Sequence, residues 1–149
     1  MRTIILIACA SKKLSIKSIA KDLYVSPLFR LSLDYAYSLK PDKIFILSAL
    51  HHLLDLEKVL EPYDVTLSIV PRAKRKPGLK VLNAAEKIEW GIKVVGMLKE
   101  HTDLQHDMFI ILAGNEYLKP IASNIRNLDN RLSGLSQGRR LKYLKQHIQ

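Results

Sequence analysis

Three apolar runs limit this chain more than any other feature: residues 3–9 (TIILIAC), 43–48 (KIFILS) and 107–113 (DMFIILA). Each is rich in β-branched or aromatic side chains, too short for a helix, and apolar at nearly every position rather than every second one. A run of that kind belongs to a strand covered on both faces, and such strands occur almost only in parallel sheets flanked by helices. Helical patterns separate the runs. Ser26-Pro27 reads as an N-cap followed by proline at the first helical position, and the apolar stripe from Leu28 to Leu39 continues it until Pro41. Residues 79–101 carry Val81, Leu82, Ala85, Ile88, Ile92, Val95 and Leu98 at helical spacing, with further helices expected over 116–125 and 137–147.

The expectation is one α/β domain over residues 1–149, a three-layer α/β/α sandwich around a small, mostly parallel sheet of three to four strands. The fourth strand would lie within 127–134. Strand, helix, strand over residues 3–48 is a βαβ unit, right-handed by general rule. Residues 14–25 are ambiguous, with a helical turn over 16–21 as one option, and residues 49–77 read as irregular. Within that long connection a short helix over 56–60 and an extended piece over 65–70 are expected. A connection of that length is uncommon unless it is functional.

Charge speaks to partners. Twenty-four Lys and Arg against 14 Asp and Glu leave a net charge of +10, concentrated in two clusters. Arg72, Lys74, Arg75 and Lys76 lie in the long connection, and Arg139, Arg140 and Lys142 lie on the last helix. Such clusters suit phosphate contacts, so DNA is the expected partner, bound in a salt-sensitive way, ahead of an anionic membrane surface or an acidic protein. The single cysteine excludes an intramolecular disulfide and a multi-cysteine zinc site; no further ligand cluster accompanies the two histidines, so no metal is expected, and no cofactor is expected either. It also fits a reducing, cytoplasmic setting. The first apolar run is followed at once by Lys12 and Lys13 and reads as a strand rather than a secretion signal. No stretch approaches the ~20 apolar residues of a membrane span.

Ligands of open α/β sheets bind beyond the carboxyl ends of the strands. Here those ends gather Cys9, Lys12 and Lys13; Ser48, His51 and His52; and Gly114, Asn115 and Tyr117. Cys9 reads either as a small buried apolar residue or as a thiol activated by the lysines. Of two adjacent histidines, one at most faces the site. Glu61 and Asp64 flank Pro62-Tyr63, either as solvated turn residues or as carboxylates that orient water or stabilise a developing cation. Gly114-Asn115 is a plain strand-to-helix turn or an anion site made by free backbone N–H groups.

The segments DLYVSPLFR, ILSALHHLLDLEKVLEPYDVTL, LAGNEYLKPI and LSGLSQGRRLKYL, with the Cys9-to-Lys13 turn, resemble a family of small bacterial and phage proteins. That family is distantly similar to the YaaA peroxide-stress DNA-binding proteins and, in outline, to the uracil-DNA-glycosylase-like α/β fold. The positions that carry the resemblance are Cys9, Lys12, Asp22, Tyr24, Ser26, Phe29, Ser48, Pro62, Tyr63, Gly114, Tyr117 and Gly138. Where the family more often has Lys or Tyr followed by Gly after the second strand, this chain has His51-His52.

Together these readings lead to a DNA-interacting protein of glycosylase-like fold that cleaves the N-glycosidic bond of a nucleobase extruded to the strand ends. Asn115 and Ser48 would contact the base, Tyr24 or Tyr63 would stack on it, and Cys9, Lys12 and Tyr117 would line the site. Asp64 or Glu61 would stabilise the oxocarbenium ion or position water, with His51 as general acid or electrostatic helper. The rivals are a DNA-binding module for damage protection without catalysis, and a thiol enzyme acting through Cys9 on a phosphorylated metabolite.

Overall fold

The computed structural model describes residues 1–148. Among the described residues nine strands and five helices follow one another. They are β1 (Thr3–Ala8), β2 (Ser18–Ile19), α1 (Ala20–Leu23), α2 (Pro27–Ser38), β3 (Lys43–Ser48), β4 (His52–Asp55) and β5 (Val59–Leu60). Then come β6 (Val65–Thr66), β7 (Lys80–Val81), α3 (Ala84–His101), β8 (Met108–Leu112), α4 (Asn115–Ala122), β9 (Asn127–Asn130) and α5 (Gln137–His147).

The three apolar runs form the middle of a five-stranded sheet in the order β4-β3-β1-β8-β9. All neighbours are parallel except the β3–β4 pair. Register aligns the apolar rows: Leu6 lies between Phe45 and Ile111, and Ile7 between Ile46 and Leu112. Successive side chains point to opposite faces, so each row feeds one of two cores. Ile4, Leu6, Phe45, Leu47, Phe109 and Ile111 pack with Trp90, Val94 and Leu98 of α3 and with Tyr117 and Ile121 of α4. Ile5, Ile7, Ile46, Ile110 and Leu112 pack with Leu23 of α1, Phe29, Leu33 and Ala36 of α2, and Leu144 of α5. Each fully buried side chain of this size contributes roughly 1.5–3 kcal/mol through burial. At the amino end of the sheet, the buried Asp107 carboxylate accepts from the Arg2 and Asp103 backbone N–H groups at 2.9 and 2.8 Å.

The long connection is more ordered than its composition suggests. β3 returns through a tight hairpin in which Ser48 pairs with His52, whose φ of 71° lies in the left-handed region. Residues 56–60 are not helical: Val59-Leu60 pairs antiparallel with β2, and Lys58 and Leu56 carbonyls accept from Ala20 and Lys21 N–H groups. Tertiary pairing outweighs local helix propensity there, and it also turns the 16–21 segment into a strand followed by α1. Of the extended piece expected over 65–70, only Val65-Thr66 forms a strand, β6, parallel to β7.

α3 begins five residues later than periodicity suggests. The Asn83 side chain accepts from Glu86 N–H at 2.8 Å while the Glu86 carboxylate accepts from Asn83 N–H at 2.9 Å. This reciprocal cap starts the helix at Ala84 and leaves Lys80-Val81 to the β6 pair. The buried stripe is Trp90, Gly91, Val94, Val95 and Leu98, so Ile88 and Ile92 face out, at 66% and 67% exposure. Among the described residues no helix is long and apolar enough to cross a membrane.

Gly91 sits where α3 crosses α4. A Cβ there would stand 2.5 Å from the Pro120 carbonyl oxygen, whereas a Cβ on Gly96 meets nothing within 4 Å. The same substitution therefore acts in opposite directions. Gly91→Ala forces the helices apart and costs about 1–3 kcal/mol, and Gly96→Ala stabilises by about 0.5–1 kcal/mol, both read from urea denaturation midpoints.

Candidate functional site

The chain leaves β1 toward α2 on one face of the sheet and leaves β8 toward α4 on the other. The two connections part at the β1–β8 boundary, which opens a crevice at the carboxyl ends of these strands. A cavity of about 430 Å³ occupies it, within the roughly 300–1,000 Å³ of small-ligand sites. Its walls include Cys9 and Lys13 after β1, Gly114, Asn115 and Tyr117 after β8, Ser26 at the start of α2, and Arg140 in the first turn of α5. The amino ends of three helices thus border one space; Ser26 and Ser136 cap α2 and α5, α4 has no side-chain cap, and the helix dipoles there favour negative charge.

Each basic cluster sends one member into the cavity. Lys76 enters from the β6–β7 connection, whose Ser68, Ile69 and Val70 also form the wall, and Arg140 enters from α5. Arg72, Lys74 and Arg75 are exposed on and beside a 3₁₀ turn (Arg72–Lys74), and Arg139 and Lys142 are exposed on α5. Arg140 is oriented by its Nε–H, which donates to the Leu135 carbonyl at 3.0 Å. Its guanidinium then lies against Gly114, with NH1 3.5 Å from where a Cβ would be.

Asp64 brings a carboxylate to the same cavity. Lys76 Nζ lies 2.7 Å from Asp64 Oδ1, and that hydrogen bond holds the carboxyl below its ordinary range. The Asp64 carbonyl accepts from Lys80 N–H at 2.8 Å, so the β6–β7 ladder fixes the backbone of the group. Glu116, the cavity's other carboxylate, is paired with Lys87 at 2.7 Å.

Two groups of hydroxyls adjoin this cavity, one buried around Tyr63 and one in the wall around Tyr117. Tyr63 OH is 2.7 Å from Ser48 Oγ and 2.5 Å from Tyr24 OH, and Ser48 Oγ accepts from His51 N–H at 3.0 Å. Trp90 Nε1–H donates to the Ser48 carbonyl at 2.8 Å. Tyr117 OH lies 3.4 Å from Cys9 Sγ and 3.3 Å from Thr66 Oγ1. Burial pushes the phenol pKa values of Tyr24, Tyr63 and Tyr117 up, so all three remain protonated at physiological pH.

This arrangement changes several expectations. Tyr24 and Ser48 are wholly buried, so neither ring nor hydroxyl reaches a base, and Tyr63 holds the Pro62-Tyr63-Asp64 turn rather than offering a stacking face. His51 packs edge-on to the Tyr63 ring at 5.3 Å outside the cavity, and burial lowers its pKa. Glu61 is exposed and does not line the cavity. Lys12 is exposed too, its carbonyl accepting from Val25 N–H at 3.0 Å, and the inward lysine is Lys13. That swap follows from extended backbone, in which neighbouring side chains point opposite ways. Of the expected site residues, Cys9, Asp64, Lys76, Asn115, Tyr117 and Arg140 meet at one cavity; Lys13, Ser26 and Thr66 join them.

Tyr63→Phe leaves the Ser48 and Tyr24 hydroxyls short of a buried partner. The expected loss is about 1–3 kcal/mol of unfolding free energy, read by urea denaturation, with Ser48→Ala of similar size.

No curated protein and no solved structure matches the chain. A family model described as "Family of unknown function (DUF6884)" matches residues 4–146, nearly the whole of the chain. The chain therefore belongs to the DUF6884 family.

Proposed function

We propose that this is a cytoplasmic DNA-interacting protein, a single three-layer α/β/α domain that accepts an extruded nucleotide and cleaves its N-glycosidic bond. One observation carries the reading. Two basic clusters far apart in sequence each contribute one cation, Lys76 and Arg140, to a single cavity that also holds the Asp64 carboxylate. A phosphodiester backbone crossing the rim would meet Arg72, Lys74 and Arg75 on one side and Arg139 and Lys142 on the other. Phosphate contacts of this kind position a strand without reading its sequence. A nucleotide rotated out of the stack would place its phosphate by Arg140 and Gly114, where the amino end of α4 adds favourable dipoles. The DLYVSPLF and LSALHHLL segments resemble a family of small bacterial and phage proteins distantly similar to the YaaA DNA-binding proteins, which supports the DNA association more than the reaction.

In this reading Asp64 is the catalytic carboxylate. Glycosidic cleavage develops positive charge on the sugar, and a fixed anion beside it lowers the barrier or orients the attacking water. Lys76 keeps Asp64 ionised and in place. Asn115, at the first position of α4, offers amide donors and acceptors to the base edge. Cys9 and Tyr117 close the inner wall.

Three outcomes are expected. Base release from modified and unmodified oligonucleotides, followed by chromatography, falls in Asp64→Asn by about 100-fold or more, the scale of a lost electrostatic stabiliser. Equal release by wild type and Asp64→Asn would remove Asp64 from the mechanism, and no release under any condition with intact binding would leave only the DNA-binding module. The second outcome concerns pH. Asp64 acts as the anion, so activity is lost as pH falls through its pKa, which Lys76 depresses. Lys76→Met raises that pKa, and the acid limb of the pH–rate profile moves upward. The third concerns salt. Replacing Arg72, Lys74 and Arg75 by Gln flattens log K against log salt by roughly 0.9 for each phosphate that is no longer neutralised, measured by fluorescence anisotropy.

A further inference from the structure

Lys13 is a charged cavity group to which N-glycosidic cleavage assigns no role. It sits at a lone bridge between its own backbone and that of Tyr24, and its side chain lines the cavity. Its Nζ stands 4.5 Å from the centre of the Tyr63 ring and 5.7 Å from that of Tyr24. It donates to the Ser11 carbonyl at 3.4 Å, a long contact. Among the described residues no carboxylate lies within ion-pair distance of it. The two carboxylates of the cavity wall are instead held by other lysines, Asp64 by Lys76 and Glu116 by Lys87, each at 2.7 Å. The two ring faces and the long Ser11 contact are the closest stabilising surroundings its ammonium form has there, because the wall carboxylates are already paired.

Burial acts against the ammonium form. It lowers the Lys13 pKa, and Lys76 lowers it further, while Cys9 and Asp64 offset only part of the effect. A larger share of neutral amine is what a nucleophilic lysine requires.

We propose that Lys13 is an amine nucleophile whose Nζ captures the aldehyde of a ring-opened sugar phosphate as a Schiff base. The sugar-phosphate class follows from the surroundings: Lys13, Arg140 and the amino end of α4 border one cavity, so an aldehyde at the first and a phosphate at the others fit together. Two sources carry both groups, an abasic deoxyribose within DNA and a free sugar phosphate. The DNA source rests on the function proposed above, in which loss of the base leaves that aldehyde behind.

The step balances without an outside oxidant or reductant. Unprotonated Nζ gives its electron pair to the C1′ aldehyde carbon, and the carbonyl oxygen takes up the proton that the nitrogen releases, forming a carbinolamine. A second proton on that hydroxyl lets water leave, and the nitrogen electron pair closes the C=N bond of the iminium. Amine, aldehyde and one proton thus become iminium and water, and hydrolysis reverses the sequence.

Borohydride trapping tests it on the full-length protein. An oligonucleotide bearing one abasic site and free 2-deoxyribose 5-phosphate are each incubated with the protein and sodium cyanoborohydride, which reduces the iminium to a stable secondary amine. The expected result is a covalent adduct that peptide mass spectrometry maps to Lys13, is lost in Lys13→Arg, and survives in Lys17→Arg, a change at an exposed lysine outside the cavity. Mapping on the wild type keeps the test independent of how the variant folds. An adduct confined to the terminal amine or another lysine overturns the proposal, as does no adduct with either probe while abasic DNA is still bound. Trapping of the free sugar phosphate alone supports Lys13 and removes DNA from the reading. Base release without trapping leaves the N-glycosidic reading standing and removes Lys13.

Discussion

β1 is hydrogen-bonded on both edges, to β3 and to β8, and packed on both faces, with Ile4, Ile5 and Leu6 wholly buried. A strand so enclosed has no freedom to shift register, because a one-residue slip would exchange its two apolar faces and misalign both neighbours. Its carboxyl end is therefore a fixed point. The chain departs from it toward one face, departs from β8 toward the other, and cannot fill the space between. Cys9 and Lys13 are held on one side of that space by this geometry, and Gly114 and Asn115 on the other.

The remaining walls come from segments that have little structure of their own. β2, β5, β6 and β7 are two-residue strands, and none would persist alone. They are stable because each pairs with a segment already anchored to the sheet: β5 through β2 and α1, β6 through β7 and the cap of α3. The hydroxyls of Tyr63, Tyr24 and Ser48 then tie the Pro62-Tyr63-Asp64 turn to the end of β3. A polar network in this position costs stability if one member is removed, and while complete it sets the place of Asp64 relative to Lys13 and Lys76. The buried hydroxyls and the exposed cations thus have separate tasks, the first holding the cavity in shape and the second giving it charge.

The parallel sheet, the helices from Ser26-Pro27 and from residue 137, and the gathering of chemistry at the strand ends were legible in the residue pattern, since burial on two faces and helix capping are local signals. The start of α3 was also written locally, in the Asn83–Glu86 cap, but the apolar periodicity running through Val81 and Leu82 masked it. Ile88 and Ile92 show the limit of periodicity: spacing marks an apolar face, while the helix buries the face that carries Trp90 and Gly91 because Pro120 approaches there.

Residue types alone determined that this chain has a doubly covered sheet, a cationic surface and a polar cluster beyond its strands. Which members of that cluster meet was decided only in three dimensions. Lys13 rather than Lys12 turns inward because the bridge to Tyr24 sets the phase of an extended segment, and phase depends on the partner strand. Ser48 and Tyr24 disappear into the interior because hydroxyls 15 and 39 residues from Tyr63 find it there. Lys76 and Arg140 share a cavity because the β6–β7 ladder and the packing of α5 bring them to it. Such pairings join residues far apart along the chain, and composition and spacing carry no record of them.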